Sequence, residues 1–136
     1  MDEKLKQVQE AFILSYVRKQ RRERLSYELN SDKKRYEGLE RFCHQAEDLL
    51  DPCRIILSGT DLFKRKEFLT FIEKHRKEDC FLLSPDAAFD QKEGKLEDVM
   101  EELFYCMDAC MLIGKDFAYV RQEAMKGGTL QFLLKH

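Results

Sequence analysis

The chain has 136 residues, of which 43% are hydrophobic and 37% are charged, and it contains only two prolines and six glycines. This composition predicts one compact, mostly helical globular domain and argues against disordered, collagen-like and low-complexity proteins. Apolar runs reach only a handful of residues, whereas a membrane-spanning helix needs roughly 20. The first residues are charged and lack the apolar region of a secretory signal, so we expect a cytoplasmic protein without a membrane partner.

The charges are distributed unevenly, although 24 Lys and Arg residues nearly balance 26 Asp and Glu residues. Residues 18–24 contain five cations and one anion, a net charge of +4, and residues 78–108 contain ten acids and two lysines, a net charge of −8. Such a separation informs about partners and solubility rather than about fold. A second copy of the chain is one candidate partner: in a homo-oligomer, the basic stretch of one copy would meet the acidic face of another.

The N-terminal third is expected to be helical. An amphipathic helix is predicted from residue 4 by apolar residues at a 3-4-4 spacing, namely Leu5, Val8, Phe12 and Tyr16. Residues 18–24 are all polar, so this part of the helix either projects past the core or lies on a solvated face. A break at residues 30–32 and a second apolar stripe over residues 36–50 predict a helical hairpin spanning residues 1–51.

The rest of the chain, residues 52–136, reads as an α/β part. Short apolar runs at 53–58 and 80–84 flank a helix expected between about 61 and 77, which is the βαβ pattern of parallel strands. A polar loop to residue 94 and a fourth helix from residue 96 follow. Glycine-containing loops between runs at 109–113, 117–123 and 129–135 predict an antiparallel meander.

These elements predict the α+β class. We expect a single domain, residues 1–136, in which the N-terminal helical hairpin packs on a mixed, roughly five-stranded sheet covered by two further helices. The second helix ends in DLLDP, one strand reads CFLLS, and the meander contains LIGKDFAYV. With the basic helix and the acidic loop, this order resembles a family of small uncharacterised bacterial cytosolic proteins. The resemblance implies no established activity, so no catalytic residue is transferred from it.

The basic stretch is a candidate binding site for phosphates. Its cations are Arg18, Lys19, Arg21, Arg22 and Arg24. On a helix they would wrap around the cylinder, and Tyr16 or Tyr27 could stack on a base, as expected for nucleic acid. The net charge of −2 and a local pair between Arg24 and Glu28 favour instead a solvated helix end, and an acidic protein surface is a further candidate partner.

A second candidate site depends on the predicted parallel strands, whose C-terminal ends would share one edge of the sheet. Oxygen-bearing side chains follow both strands there: Ser58, Thr60, Asp61, Ser84 and Asp86, with Asp90 nearby. They suit an anion or Mg²⁺ in a small enzyme or ligand-binding protein, or they simply cap a helix and end a strand. Nucleotide-binding glycine motifs are absent from the sequence, and no organic cofactor is indicated.

Five cysteines, an odd number among apolar neighbours, predict free thiols in a reducing compartment. We expect burial of Cys43, Cys53, Cys80 and Cys110. The close pair Cys106 and Cys110 does not have the spacing of a zinc motif, so no metal site is predicted. Cys43 and His44 are adjacent on a helix, where side chains diverge by about 100°, so no nucleophile–base pair is predicted either.

The sequence therefore favours a non-catalytic, cytoplasmic interaction or regulatory domain over the small enzyme or anion-binding protein. Residues 97–102 add an acidic helix face, which either is solvated or steers a basic partner.

Overall fold

The fold is that of a computed structural model, and the structure describes residues 2–105, 109–123 and 128–136. The α-helices are α1 (Glu3–Tyr16), α2 (Arg22–Leu29), α3 (Arg35–Leu49), α4 (Lys66–His75) and α5 (Leu96–Tyr105). The strands are β1 (Ile55–Gly59), β2 (Asp79–Leu83), β3 (Lys92–Lys95), β4 (Cys110–Ile113), β5 (Phe117–Glu123) and β6 (Thr129–Lys135). Within the described ranges, no helix is long and apolar enough to cross a membrane.

The predicted α+β class is confirmed, but the sheet differs from the expected one. It has six strands in the order β1-β6-β5-β4-β2-β3, and every neighbouring pair is antiparallel. The predicted meander over β4, β5 and β6 is confirmed, whereas β3 lies where a loop was expected. Its sequence, KEGK, has no strand-forming residue, and it forms because its backbone pairs with β2 after a turn at Gln91, whose φ is 68°.

The predicted βαβ unit is wrong. β1 and β2 point in the same direction, but β6, β5 and β4 lie between them. β1 is an edge strand, and its residues are half-buried or exposed, including Ile56, which is 48% exposed. A short apolar run of this kind is typical of a buried strand, so the exposure of β1 differs from the expectation. The strand that pairs with β1 is β6, which lies more than 70 residues later in the chain. A short apolar run predicts a strand but does not indicate which other strand pairs with it.

Helices cover both faces of the sheet, and side chains alternate between the two layers as strand geometry requires. The face toward α1, α2 and α3 carries Phe81, Leu83, Met111, Ile113, Val120 and Phe132. The face toward α4 and α5 carries Leu82, Leu112, Tyr119 and Leu133, which pack with Phe68 and Leu103. A one-residue slip in register would exchange the two sets, so burial on both faces fixes the register.

The predicted helical hairpin is instead a three-helix layer. α1 ends because Val17 is extended and fully buried, forming a bridge to Leu50. Arg18 N donates to the Leu49 carbonyl at 2.9 Å, and Asp51 N donates to that of Tyr16 at 2.8 Å. A 3-10 turn, Lys19–Arg21, then leads into α2. The basic stretch is therefore a bend between two helices and not one continuous cylinder.

α2 and α3 approach each other closely at Gly38. A Cβ atom at this position would lie 3.0 Å from Glu28 Cβ and 3.1 Å from Leu29 Cδ2, so the absence of a side chain permits the contact. α3 buries Leu39, Cys43 and Ala46, in agreement with the predicted stripe, but Tyr36 is 61% exposed.

Candidate functional site

The five cations of the basic stretch divide into two groups. Arg18 and Arg22 are used structurally: Arg18 donates from Nε to the Leu50 carbonyl at 3.0 Å and from an Nη atom to the Glu47 carbonyl at 3.2 Å. Arg22 Nε donates to the Val17 carbonyl at 3.0 Å. These bonds satisfy backbone acceptors where α1 and α3 end, so both side chains hold the bend in place.

Lys19, Arg21 and Arg24 instead project into solvent. Within the described residues, Lys19 and Arg21 form no ion pair. The predicted pair between Arg24 and Glu28 is present, but at 3.8 Å and with an Arg24 side chain that is 67% exposed. Glu28 is held mainly by Arg41, which donates to its two carboxylate oxygens at 2.8 and 3.3 Å. Arg24 is therefore only weakly paired, and its guanidinium group is accessible to a binding partner.

Of the two tyrosines expected to stack on a base, only one is accessible. Tyr16 is buried in the core at 3% exposure, and burial raises its pKa to about 12. Tyr27 is 65% exposed on α2. Positions 24 and 27 are three residues apart on α2, where such side chains are neighbours, and Arg21 precedes Arg24 by the same interval at the last position of the 3-10 turn. We call Arg21, Arg24 and Tyr27 the α2 ridge.

The oxygen-bearing residues of the second candidate site do not form one cluster. Ser58, Thr60 and Asp61 follow β1, whereas Ser84 and Asp86 follow β2, which lies four strand spacings away in the sheet, roughly 19 Å. Thr60 and Asp61 also do not cap a helix through their side chains: a 3-10 turn, Leu62–Lys64, comes first, and α4 begins only at Lys66. The predicted site required β1 and β2 to be direct neighbours, but β6, β5 and β4 lie between them.

Ser84 and Asp90 are instead parts of a folded loop. Ser84 is buried, its hydroxyl accepts from Asp86 N at 3.1 Å, and its own N–H donates to Asp90 at 3.2 Å. Asp86 accepts from Ala88 N at 2.9 Å. These are the hydrogen bonds of a turn, which explains why serine and aspartate occur at these positions without a ligand.

Arg35 anchors this loop to the helical layer. It donates to both Asp90 carboxylate oxygens, at 2.9 and 3.0 Å, and the two side chains are only 8% and 12% exposed. Arg35 also donates to the Leu29 carbonyl at 3.0 Å and to Gln9, which in turn donates to Asn30 at 3.0 Å. This satisfied network joins α1, α2, α3 and the loop, and its role is structural.

Half of the acids in the acidic stretch are paired with cations by the fold. Five of the ten form ion pairs, namely Asp79 with Lys95, Asp90 with Arg35, Glu93 with Lys4, Glu97 with Lys77 and Glu102 with Lys92. Glu78 contacts the His75 imidazole. Asp98 and Glu101, by contrast, form no ion pair within the described residues, and Asp108 lies outside them. The acidic helix face is thus smaller than the sequence count suggests.

The cysteine predictions are mostly confirmed. Cys43, Cys80 and Cys110 are buried, and these three and Cys53 are free thiols. The prediction for Cys53 is wrong, because it lies in an exposed 3-10 turn, Pro52–Arg54, and not in β1. Cys106 lies outside the described residues. Burial, together with Asp79, raises the pKa of Cys80 to about 12, so this thiol stays protonated.

Sequence reasoning missed one group of side chains on α3. Adjacent residues diverge at their Cβ atoms, yet the ligand atoms of Glu40, Cys43 and His44 all lie within 4.8 Å of one another. Glu40 is three residues from Cys43 and four from His44, so it bridges the two diverging side chains. The i, i+3, i+4 spacing was a usable signal in the sequence, because it places Glu40 beside both Cys43 and His44 on a helix.

Comparison of the chain with protein-family models, with curated proteins and with solved structures finds no match. The resemblance to small bacterial proteins therefore stays a prediction, and the function has to be argued from the geometry.

Proposed function

We propose that the protein is a non-catalytic interaction domain that binds single-stranded nucleic acid through the α2 ridge. The observation that carries the proposal is the exposure of Tyr27 in one row with Arg21 and Arg24. Sequence-independent binding of single strands combines cations for the phosphates with an aromatic side chain on which a base stacks. The ridge offers both groups in adjacent positions.

The bend before α2 supports this function by presenting the ridge in a fixed position. Arg18 and Arg22 tie the bend to the ends of α3 and α1, and Leu25 and Leu29 bury the opposite side of α2. Lys19 extends the row of exposed cations into the 3-10 turn. A binding surface that is already ordered loses little side-chain and backbone entropy when the ligand binds.

The test is a titration of a short, labelled, single-stranded oligonucleotide of mixed sequence, followed by fluorescence anisotropy at low and physiological salt. The wild type should bind at low salt and weaken as salt rises. In the Arg21→Gln/Arg24→Gln variant, the slope of log affinity against log salt should become shallower by about 1.4, because two phosphate contacts are lost.

Tyr27→Ala tests base stacking, and it should weaken binding by roughly 5- to 150-fold with little change in the salt slope. Tyr36→Ala removes a tyrosine of similar exposure from α3 and serves as its control. Lys64→Gln/Lys74→Gln removes two exposed lysines on the α4 side of the sheet and serves as the control for charge. Neither control should change the affinity.

If the wild type binds no oligonucleotide at low salt, the proposal is wrong. The ridge would then be a solvated surface or a contact for an acidic protein, and affinity for a polyglutamate peptide that falls in Arg21→Gln/Arg24→Gln would identify the second case. Equal losses in the ridge and control variants would also contradict the proposal, since they would indicate nonspecific attraction.

A further inference from the structure

A second group of side chains, remote in sequence from the α2 ridge, has the composition of a metal site. Glu40, Cys43 and His44 lie on α3, and their ligand atoms are all within 4.8 Å of one another. His44 Nε2 is 3.0 Å from a Glu40 carboxylate oxygen. A carboxylate, a thiol and an imidazole are three of the ligand types that zinc takes from proteins.

Strand β5 brings a second carboxylate to the other nitrogen of this imidazole. A carboxylate oxygen of Glu123 lies 3.8 Å from His44 Nδ1, so the imidazole sits between two carboxylates. Glu123 also acts on the Cys43 thiol, whose pKa is raised to about 12 by burial and by the negative charges of Glu123 and Glu40. The neighbouring contact between Glu47 N and Gln122 Oε1, at 3.0 Å, fixes α3 relative to β5.

We propose that Glu40, Cys43 and His44 form a binding site for a zinc ion, with His44 binding through Nε2 and Glu123 acting as the carboxylate partner of His44 Nδ1. In a tetrahedral zinc site the ligand atoms are about 3.3–3.6 Å apart, as follows from the usual metal–ligand distances. The separations among Glu40, Cys43 and His44, at most 4.8 Å, therefore need to shorten by roughly 1.2–1.5 Å or less. The side chains of Glu40, His44 and Glu123 are 32%, 54% and 43% exposed, so they are free to rotate around the buried Cys43 thiol.

The charges of the cluster favour a cation. Two carboxylates converge on a buried thiol, and the only cationic partner within this cluster is an imidazole that is charged only when protonated. A divalent ion would offset the repulsion between the carboxylates and stabilise the thiolate. The soft sulfur donor favours zinc over magnesium or calcium, which prefer oxygen ligands only.

Room for the ion exists beside the thiol. A cavity of about 300 Å³ is lined by Glu40, Cys43 and Glu123, together with Tyr36, Pro85 and Asp86. Cys43 is therefore reachable although its residue is almost fully buried. A bound ion would fix the His44 imidazole on α3 and strengthen its contact with Glu123 of β5, so we expect zinc to raise the melting temperature.

The experiment uses the full-length, reduced protein after treatment with a chelator. Addition of Co²⁺, a spectroscopic substitute for Zn²⁺, should produce a near-ultraviolet band from cobalt–thiolate charge transfer and visible bands of tetrahedral cobalt. Zinc should displace cobalt and abolish both. Cys43→Ser should lose the thiolate band, whereas Cys53→Ser, which removes the exposed cysteine of the turn after α3, should retain it.

His44→Gln and Glu123→Gln alter exposed side chains, so they keep the test valid if Cys43→Ser does not fold. Each should weaken zinc binding, measured by calorimetry, by about tenfold or more, because even the hydrogen-bond partners of metal ligands have effects of 10- to 100-fold. His75→Gln alters a second His–Glu pair, with Glu78, on the opposite face and should have no effect. Absence of a thiolate band in the wild type, or equal zinc affinity in the wild type and His44→Gln, would overturn the proposal.

Discussion

Residues 18–24 and residues 78–108 are both marked by charge, but the fold uses them in different ways. Five of the ten acids in the second stretch form ion pairs with cations from α1, α3, β3 and the turn after α4. In the basic stretch, Arg18 and Arg22 bind backbone carbonyls, while Lys19, Arg21 and Arg24 remain exposed. A run of charged residues therefore offers a binding surface only through those side chains that are not paired with other groups of the same fold.

The comparison also separates buried from exposed ion pairs. Arg35 and Asp90 are almost fully buried and bonded through two hydrogen bonds, whereas Lys92 and Glu102 are about 40% exposed and 3.7 Å apart. Removal of one partner from a buried pair leaves an uncompensated charge, and removal of one partner from an exposed pair leaves a solvated one. The acidic stretch should therefore contain one pair on which the fold depends.

The largest effect is expected for Arg35→Met, which leaves Asp90 without its partner. We expect a loss of about 3–5 kcal/mol in the free energy of unfolding, measured by chemical denaturation. Lys92→Gln is the matched control at an exposed pair and should lose about 0.2–1 kcal/mol. Similar losses in the two variants would show that burial does not separate these pairs.

The next largest effect concerns the two groups of cations in the basic stretch. Arg18→Gln removes the bonds to the Leu50 and Glu47 carbonyls and should lower the free energy of unfolding by about 1–3 kcal/mol. Arg21→Gln should leave stability within about 0.5 kcal/mol of the wild type, because its side chain is exposed. Equal stability of the two variants would mean that the bend does not need Arg18.

The smallest effect is expected at the exposed pair of Lys77 and Glu97. The Lys77 ammonium donates a hydrogen bond to the Glu97 carboxylate at 2.6 Å and lowers its pKa. Because the pKa is lower in the folded state, this pair stabilises the fold above the unfolded pKa, and its contribution disappears as pH falls through the folded pKa. Lys77→Gln should raise the pKa of Glu97 in an NMR titration, with hardly any change in stability.

Lys74→Gln is the control for this titration, since Lys74 lies three residues before Lys77, in the last turn of α4, and is not among the groups that lower the pKa of Glu97. An unchanged pKa in Lys77→Gln would show that solvent screens the pair completely.

Local patterns were sufficient for most individual elements. The apolar spacing predicted α1 and the core of α3, and the alternation of apolar runs with glycine-containing loops predicted β4, β5 and β6. These elements depend on periodicity and turn chemistry within about ten residues. β3 was missed because the hydrogen bonds of its partner β2, and not its own residues, produce it.

The candidate sites were less predictable, because each depends on contacts between distant residues. The edge formed by Ser58 and Ser84 was inferred from parallel neighbours, and it disappears once β6 pairs with β1. Arg21 and Arg24 of the α2 ridge belong to the predicted basic stretch, but their separation from Arg18 and Arg22 depends on the bend at Val17. Glu123 could not be associated with α3 by any local pattern.

The sequence by itself determined the α+β class, the positions of most helices and strands, the polarity of the charges and the burial of Cys43, Cys80 and Cys110. Each of these depends on hydrophobicity, periodicity or charge within a short window. Only the tertiary structure decided the strand order, the pairing of the acidic stretch and the meeting of Glu123 with His44. These depend on which distant segments bury their apolar faces together, and that choice is made by packing of the whole chain and not by local propensity.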